Sequence, residues 1–312
     1  MSDIQHVLII GSGPAGYTAA IYAARSGLSP LLVTGLEPGG QLMITNDVEN
    51  FPGFEKPVEG PWLMDQMKKQ AQSVGTKIDY DRVTKLVLEK YPYEAHTEKG
   101  KIIRTYSVII STGAKAKWLE IPGEEKFKGF GVSACATCDG FFYKNKNVVV
   151  VGGGNTALEE AIFLSNICKK VTIIHRRDKF RAEKILQDRL FKKKNIEIIW
   201  NSKVVEIDGE DSPKIIKKIK ILSDKKENYV ELDGLFVAIG HSPATELFKN
   251  LLPMDSEGYI FTENNSTKTK IKGVFAAGDV TDKIYRQAVT AAGMGCMSAI
   301  EAENYLNEIN VI

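Results

Sequence analysis

Short apolar runs broken by glycine-rich turns dominate the hydrophobic pattern of the chain. His6-Val-Leu-Ile-Ile10 leads into Gly11-Ser-Gly-Pro-Ala-Gly16, and Val148-Val-Val-Val151 leads into Gly152-Gly-Gly-Asn-Thr-Ala157. A stretch of helical character follows each turn, Tyr17 to Ser26 in the first case and Leu158 to Asn166 in the second. Each stretch then returns to an apolar run, Leu31-Leu-Val33 and Val171-Thr-Ile-Ile174. Unbroken apolar runs of this length suit strands buried on both faces, and the strand–helix–strand order makes such strands parallel. The pattern predicts two βαβ units and an α/β fold with a parallel sheet in each half.

Three more runs set the expected domain order. Tyr106 to Ala114, which carries Thr112 and Gly113 near its end, reads as a strand leaving the first domain. Leu235 to Gly240, ending in Ile239 and Gly240, reads as the matching exit from the second, and Gly273 to Asp279 as a third strand with a polar tip. The first domain is therefore expected to be interrupted: residues 1–115 open it, 116–245 form an insert, and 246–312 complete it, with joints that can flex. Ile196 to Val237 reads as strands and hairpins. The Lys-rich stretch from Lys214 to Lys226 interleaves Ile with Lys, the signature of a solvated sheet face rather than a nucleic-acid patch.

Composition changes little in this picture but closes several doors. A length of 312 residues suits two domains, and 43% apolar with 26% charged residues is ordinary for a globular protein. A net charge of +2 leaves no bulk basic footprint for nucleic acid or an anionic membrane. No apolar run approaches a membrane span, and Val7 to Ile10 is too short for a signal-peptide core. Four cysteines make no disulfide scaffold, so a cytosolic enzyme with reduced thiols is expected.

The candidate chemistry starts in the two turns. Gly11, Gly13 and Gly16, with Ser12, Pro14 and Ala15 between them, form the dinucleotide fingerprint between a strand and a helix. The first glycine permits the tight turn, the second admits a pyrophosphate close to the backbone, and the third allows helix–strand packing. The acid expected about 20 residues on is missing from the strand end, where Thr34 and Gly35 stand; Glu37 follows and can serve. In the second turn Gly152 and Gly154 are followed by Asn155 and Thr156, with Ala157 in the third glycine's place, a tolerated exchange. His175, Arg176 and Arg177 then close the next strand, with Arg181 one turn later. Guanidinium groups where a ribose-binding acid would stand match a 2′-phosphate, so this site reads as specific for NADPH.

Cys135-Ala-Thr-Cys138 is a CxxC. Structural zinc needs four ligands, and the remaining cysteines and the four scattered histidines offer no ligand spacing. A redox pair fits better beside two nucleotide sites. Cys168 and Cys296, single cysteines in apolar helical surroundings, read as buried small hydrophobes. Asp139 is either a turn residue ahead of Gly140 or an acid for a departing thiolate.

Over essentially its whole length the chain resembles the bacterial low-molecular-weight thioredoxin reductases. The resemblance rests on Gly11 to Tyr17, Pro38-Gly-Gly-Gln-Leu42, Val132-Ser-Ala-Cys-Ala-Thr-Cys-Asp-Gly140 and Gly152 to Ala157. It continues in His175-Arg-Arg-Asp178 with Phe180-Arg-Ala182, Ala238-Ile-Gly-His-Ser-Pro243, Gly278-Asp-Val280 and Tyr285-Arg-Gln287. It implies two Rossmann-like domains, with an NADPH-binding domain inserted into a FAD-binding one, a homodimer, and thioredoxin as electron acceptor. It implies Cys138 as the thiol that faces the flavin, Cys135 as the one that attacks thioredoxin, and Asp139 as the acid. FAD contacts carry over onto the first turn and onto Thr34, Gly35, Leu36, Glu37, Pro38, Gly39, Gly40 and Gln41. They carry over also onto Asn50 and Val83, and onto Asp279, Val280, Thr281, Asp282 and Lys283. Ile284, Tyr285, Arg286, Gln287 and Ala288 complete the set, and Pro38 departs from the family's usual residue. Thr112 and Gly113 at one strand exit, and Ile239 and Gly240 at the other, are placed beside the nucleotides. Gly278 and Asp279, with a helix expected to begin near Tyr285, would aim backbone N–H groups at the flavin.

Placement argues against neighbouring families. The larger disulfide reductases carry their cysteines a few dozen residues after the first turn, and residues 17–134 contain none. A ferredoxin-directed relative or an NADP(H) sensor would need no CxxC. A peroxidase-reducing relative would carry an extra N-terminal dithiol domain, and here the first strand opens the sequence. Because the CxxC falls inside the nicotinamide-binding insert, a rotation is expected about joints near Ala114 to Trp118 and Gly240 to Thr245.

Overall fold

The computed structural model describes residues 4–45, 47–223 and 226–312. The chain divides into two compact units, Met1–Lys115 with Ser242–Ile312, and Ala116–His241. The second crossing falls before residue 245, because Ala244 is already stitched to the first unit. Its N–H donates to Gly113 O at 2.9 Å, and its carbonyl accepts from Thr112 Oγ1 at 2.8 Å.

In the first unit five strands run parallel, in the order Lys77–Asp79, Leu31–Val33, Gln5–Ile10, Ile102–Ile110 and Val274–Ala276. The first half of Ile102–Ile110 pairs antiparallel with Tyr93–Thr97, which pairs in turn with Val83–Val87. Val7 and Ile9 bury themselves on one face of the sheet against Tyr17, Ala299 and Leu306. Leu8 and Ile10 bury themselves on the other against Phe248 and Val280. Alternate residues thus meet two different cores, so the run has no polar position. The helix Pro14–Arg25 starts before the expected Tyr17, since proline's fixed φ suits the first helical position and its missing N–H costs nothing there. The long helix Ala288–Glu308 lies along it, and contact is close enough that a Cβ added at Gly295 would sit 2.2 Å from Ala15 O.

The second unit repeats the plan. Its parallel strands run in the order Val132–Ser133, Gly234–Val237, Asn147–Val151, Lys170–Ile174 and Ile196–Ile199. The helix Asn155–Ser165 opens directly from the glycine turn, ahead of the expected Leu158. An antiparallel sheet of Ser202–Asp211, Lys214–Ser223 and Lys226–Glu231 completes the unit. In it Ile216, Ile219 and Ile221 are buried, while Lys218 and Lys220 reach Asp208 and Glu206 at 3.2 Å across the strands. The Lys-rich stretch is therefore a solvated sheet face; its residues 224 and 225 lie outside the described residues. Among the described residues no helix is long and apolar enough to cross a membrane.

Candidate functional site

The first turn is built from two places without room and one with it. Gly11 has φ +109°, and a Cβ there would meet Ser111 O at 2.3 Å; at Gly16 it would meet Gly11 O at 2.0 Å. At Gly13, the N-cap of the helix Pro14–Arg25, nothing lies within 4 Å. An open backbone site at a helix N-terminus, with N–H groups and the dipole behind it, fits a pyrophosphate. Buried Ser12 fixes what surrounds it: Ser12 Oγ donates to Thr34 O at 3.0 Å and accepts from the Gly39 N–H at 3.1 Å. The turn and the Thr34–Gln41 segment are thereby one structure, and Gly40 stands beside Gly13. Leu36, Glu37, Pro38 and Gln41 are exposed. Pro38 fits because the chain there faces solvent, and Glu37 is held by Lys115 Nζ at 2.6 Å. Thr112 follows Ser111 directly against Gly11, with Gly113 next.

The end of the strand Val274–Ala276 closes the far side of this turn, where a Cβ at Gly278 would lie 3.0 Å from Ala15 Cβ. Asp279 follows. Burial pushes its carboxyl up to about 7, Asp282 adds to the rise and Arg286 opposes it. The helix expected near Tyr285 begins three residues later, at Ala288. The Asp282 carboxylate instead accepts the N–H groups of Ile284 and Tyr285, both at 2.9 Å, and of Arg286 at 3.1 Å, which folds residues 282–286 into a loop. Thr281 N–H reaches back to Gly278 O at 3.0 Å, and Lys283 Nζ is held by Asp255 at 2.7 Å. The helix starts at Ala288, capped by a reciprocal pair of hydrogen bonds between Gln287 and Thr290. Asn50 Nδ2 lies 3.4 Å from Gln287 Oε1, so these two expected contacts meet. Val83 and Val280 share a buried cluster.

The second turn has the same plan in the second unit. A Cβ at Gly152 would lie 2.4 Å from Ala238 O and 2.6 Å from the Ala157 methyl, while nothing lies within 4 Å of Gly154. Ile239 and Gly240 continue from Ala238, so that strand exit reaches this turn as Thr112 reaches the first. Thr156 is half-buried. Asn155 pairs doubly with Glu183: its Oδ1 accepts the Glu183 N–H at 2.9 Å and its Nδ2 donates to Glu183 Oε1 at 3.2 Å. Arg181 N–H donates to Gly153 O at 2.8 Å. The side chains of Arg176, Arg177 and Arg181 are exposed, and among the described residues none joins an ion pair. His175 is buried beneath Gly153. Ser111, Gly153 and Glu183 carry both turns yet escape a motif reading; only the triple glycine at 152–154 signals one of them.

Cys135 and Cys138 are joined as a disulfide. Cys135 caps the short helix Ala136–Asp139 and receives support from Ser133, whose Oγ accepts the Cys135 N–H at 3.0 Å. Ala136 anchors the motif in the core, and a Cβ at Gly140 would lie 3.0 Å from Leu164, so the pair rests on a firm floor. Asp139 N–H donates to Cys135 O at 3.1 Å. Its charge adds to the burial that drives Tyr143 up to about 12. Cys168 is buried, with its thiol pushed up to about 11, but it lies beyond the end of the helix at Ser165. Cys296 corrects the expectation of burial: the helix turns Gly295, Ser298 and Ala299 inward and leaves Cys296 half-exposed. Among the described residues no group of three His, Cys, Asp or Glu side chains is placed to hold a metal ion.

Comparison with known proteins agrees with this arrangement. Residues 5–295 match the family described as pyridine nucleotide-disulphide oxidoreductase. A thioredoxin reductase of Rickettsia felis is 59% identical over 310 residues, covering 99% of this chain and all of that protein. One from Rickettsia bellii is 60% identical with the same coverage. The crystal structure of thioredoxin reductase from Streptococcus pyogenes superposes with a TM-score of 0.93 at 41% identity, covering 99% of this chain and 100% of that one. The chain belongs to the pyridine nucleotide-disulphide oxidoreductase family, and within it to the thioredoxin reductases.

Proposed function

We propose that the protein is an NADPH-dependent thioredoxin-disulfide reductase, a cytosolic homodimer that binds FAD in the first unit and NADPH in the second. The observation that carries this reading is the Cys135–Cys138 disulfide on the same unit as an open glycine turn flanked by three exposed arginines. Gly11 to Gly16 would hold the FAD pyrophosphate, with Thr34 to Gln41, Asn50, Val83, Thr112, Gly113 and Gly278 to Ala288 around the rest. Gly152 to Thr156 would hold the NADPH pyrophosphate, with Ile239 and Gly240 beside it and Arg176, Arg177 and Arg181 on the 2′-phosphate. When bound, the flavin supplies two-electron transfer between the nicotinamide and the sulfurs.

The chain's own part is sulfur and proton chemistry. Two electrons and two protons convert the disulfide to two thiols. The Cys135 thiolate then attacks a thioredoxin disulfide; a new S–S bond forms and thioredoxin's own bond breaks. Cys138 attacks Cys135 in that mixed disulfide, releases thioredoxin as a dithiol and restores Cys135–Cys138. Asp139, whose backbone N–H bonds to Cys135 O, takes up the proton that the Cys135 thiol releases and returns it to thioredoxin's departing thiolate. The dithiol and the NADPH turn belong to one unit and the flavin turn to the other, so the cycle includes a rotation at the two joints.

Cys138→Ser tests the reading. Flavin bleaching by NADPH should persist at the parent rate, while NADPH-dependent reduction of thioredoxin falls to background. Thioredoxin reduction by the variant would refute the assignment.

A further inference from the structure

We infer that His175 is a positioning residue for NADPH selection: its imidazole locks the phosphate turn at Gly152–Gly154 to the arginine loop at 176–181. The inference rests on the reading of this turn as the NADPH site. In the sequence His175 stands with Arg176, Arg177 and Arg181 in the expected NADPH site. The structure instead buries it to 5% exposure, and its ring touches the two segments that carry the contacts.

His175 directly follows the strand Lys170–Ile174. Its N–H donates to Ile199 O and its carbonyl accepts from Ser202 N–H, both at 3.0 Å, so its backbone is part of the sheet floor. Gly153 rests on the ring: a Cβ there would lie 2.2 Å from Cε1 and 2.3 Å from Nδ1. At the other edge Nε2 lies 3.1 Å from Lys179 O. A carbonyl only accepts, so Nε2 carries the hydrogen. Phe180 and Trp200 enclose the ring at centroid distances of 5.6 and 6.1 Å and pack on each other at 4.5 Å. Gly153 belongs to the turn, and Lys179 and Phe180 lie between Arg177 and Arg181 in the loop. One flat side chain therefore spans both. The Arg181–Gly153 backbone bond and the Asn155–Glu183 pair run alongside it.

Charge explains why a histidine suits the place. The loop gathers three guanidinium groups that repel one another, and a cation beneath them would add to the repulsion. Burial lowers the His175 pKa and the nearby Arg181 and Arg177 lower it further, although the Lys179 and Gly152 backbones oppose this. The ring thus stays neutral at physiological pH, donates one hydrogen bond and adds no charge. A leucine fills similar space without the donor, and an asparagine keeps polarity but cannot reach Gly153 and Lys179 together.

The experiment compares parent, His175→Leu, His175→Asn and an Arg176/Arg177→Ala double variant, all as flavin-loaded protein. KM and kcat are measured with NADPH and with NADH, and binding of 2′,5′-ADP and 5′-AMP by calorimetry. Hydrogen exchange at the Arg181 amide is followed without nucleotide. Both His175 variants should raise the NADPH KM and weaken 2′,5′-ADP by about tenfold. The kcat, the NADH KM and 5′-AMP binding should stay within roughly twofold, and the Arg181 amide should exchange faster. Where His175→Leu does not fold, His175→Asn decides alone. Undiminished NADPH preference in the His175 variants, or equal weakening of both nucleotides, would overturn the proposal. A parent enzyme that does not distinguish NADPH from NADH, or one whose preference survives loss of the arginines, would instead sink the underlying reading of the site.

Discussion

Within one turn, Gly16 has no room for a side chain and Gly13 has nothing in front of it. The fingerprint shows which residues are glycine; it does not show that one is excluded by backbone and another kept open for a ligand. Asp279 carries a sharper consequence. Burial lifts its folded-state pKa to about 7 from the ordinary 3.8, so the folded, flavin-free protein keeps a proton that the unfolded chain releases. This stabilisation is complete below about pH 4 and is lost as pH rises through about 7, at no more than roughly 1.4 kcal/mol per pH unit. Asp279→Asn should therefore gain stability over the parent progressively from pH 4 to 7 and hold a constant advantage above, read as denaturation midpoints of the flavin-free proteins. A parallel pair of curves would show that the site is not as dry as its packing indicates. The resemblance expects Asp279 near the flavin, but its burial depends on residues brought in from far along the chain.

At the scale of elements, strands were legible because burial on both faces leaves a run with no polar position. Helix starts were not. Proline at 14 and the exposed Asn155 open their helices from inside what reads as turn, and Asp282 folds residues 282–286 into a loop, so that the helix expected near Tyr285 opens at Ala288. Helix contact was equally hidden, since Gly293 and Gly295 look alike in sequence. A Cβ at Gly295 would press on Ala15 O at 2.2 Å, whereas nothing lies within 4 Å of Gly293. Gly295→Val should separate the helices Pro14–Arg25 and Ala288–Glu308 and cost about 1–3 kcal/mol. It should also release flavin, because Ala15 and Gly16 belong to the turn proposed to hold it. Gly293→Ala should stabilise by about 0.5–1 kcal/mol through helix propensity alone. Thermal melting together with flavin retained after gel filtration checks both; equal effects would refute the close approach at Gly295.

At the scale of the molecule, two copies of one strand–turn–helix plan carry different chemistry because of what each turn is given. The first has Ser12 and the Thr34–Gln41 segment; the second has the arginine loop and, on its own unit, the Cys135–Cys138 disulfide. That partition constrains how electrons can pass between the two units. On the proposed assignment, a dithiol and a nicotinamide carried by one body must each meet a flavin held by the other, and a thiol resting on flavin cannot attack a protein disulfide at the same moment. A covalent crosslink that fixes the two units in one pose should therefore abolish steady-state turnover with thioredoxin. It should leave one half-reaction intact in single-turnover experiments: either flavin reduction by NADPH, or electron exchange between flavin and the Cys135–Cys138 couple. A reversible crosslink makes the test internal, since cleavage should restore turnover in the same sample. Steady-state turnover at the parent rate in the locked form would show that one pose serves both steps, and the rotation would have to be abandoned.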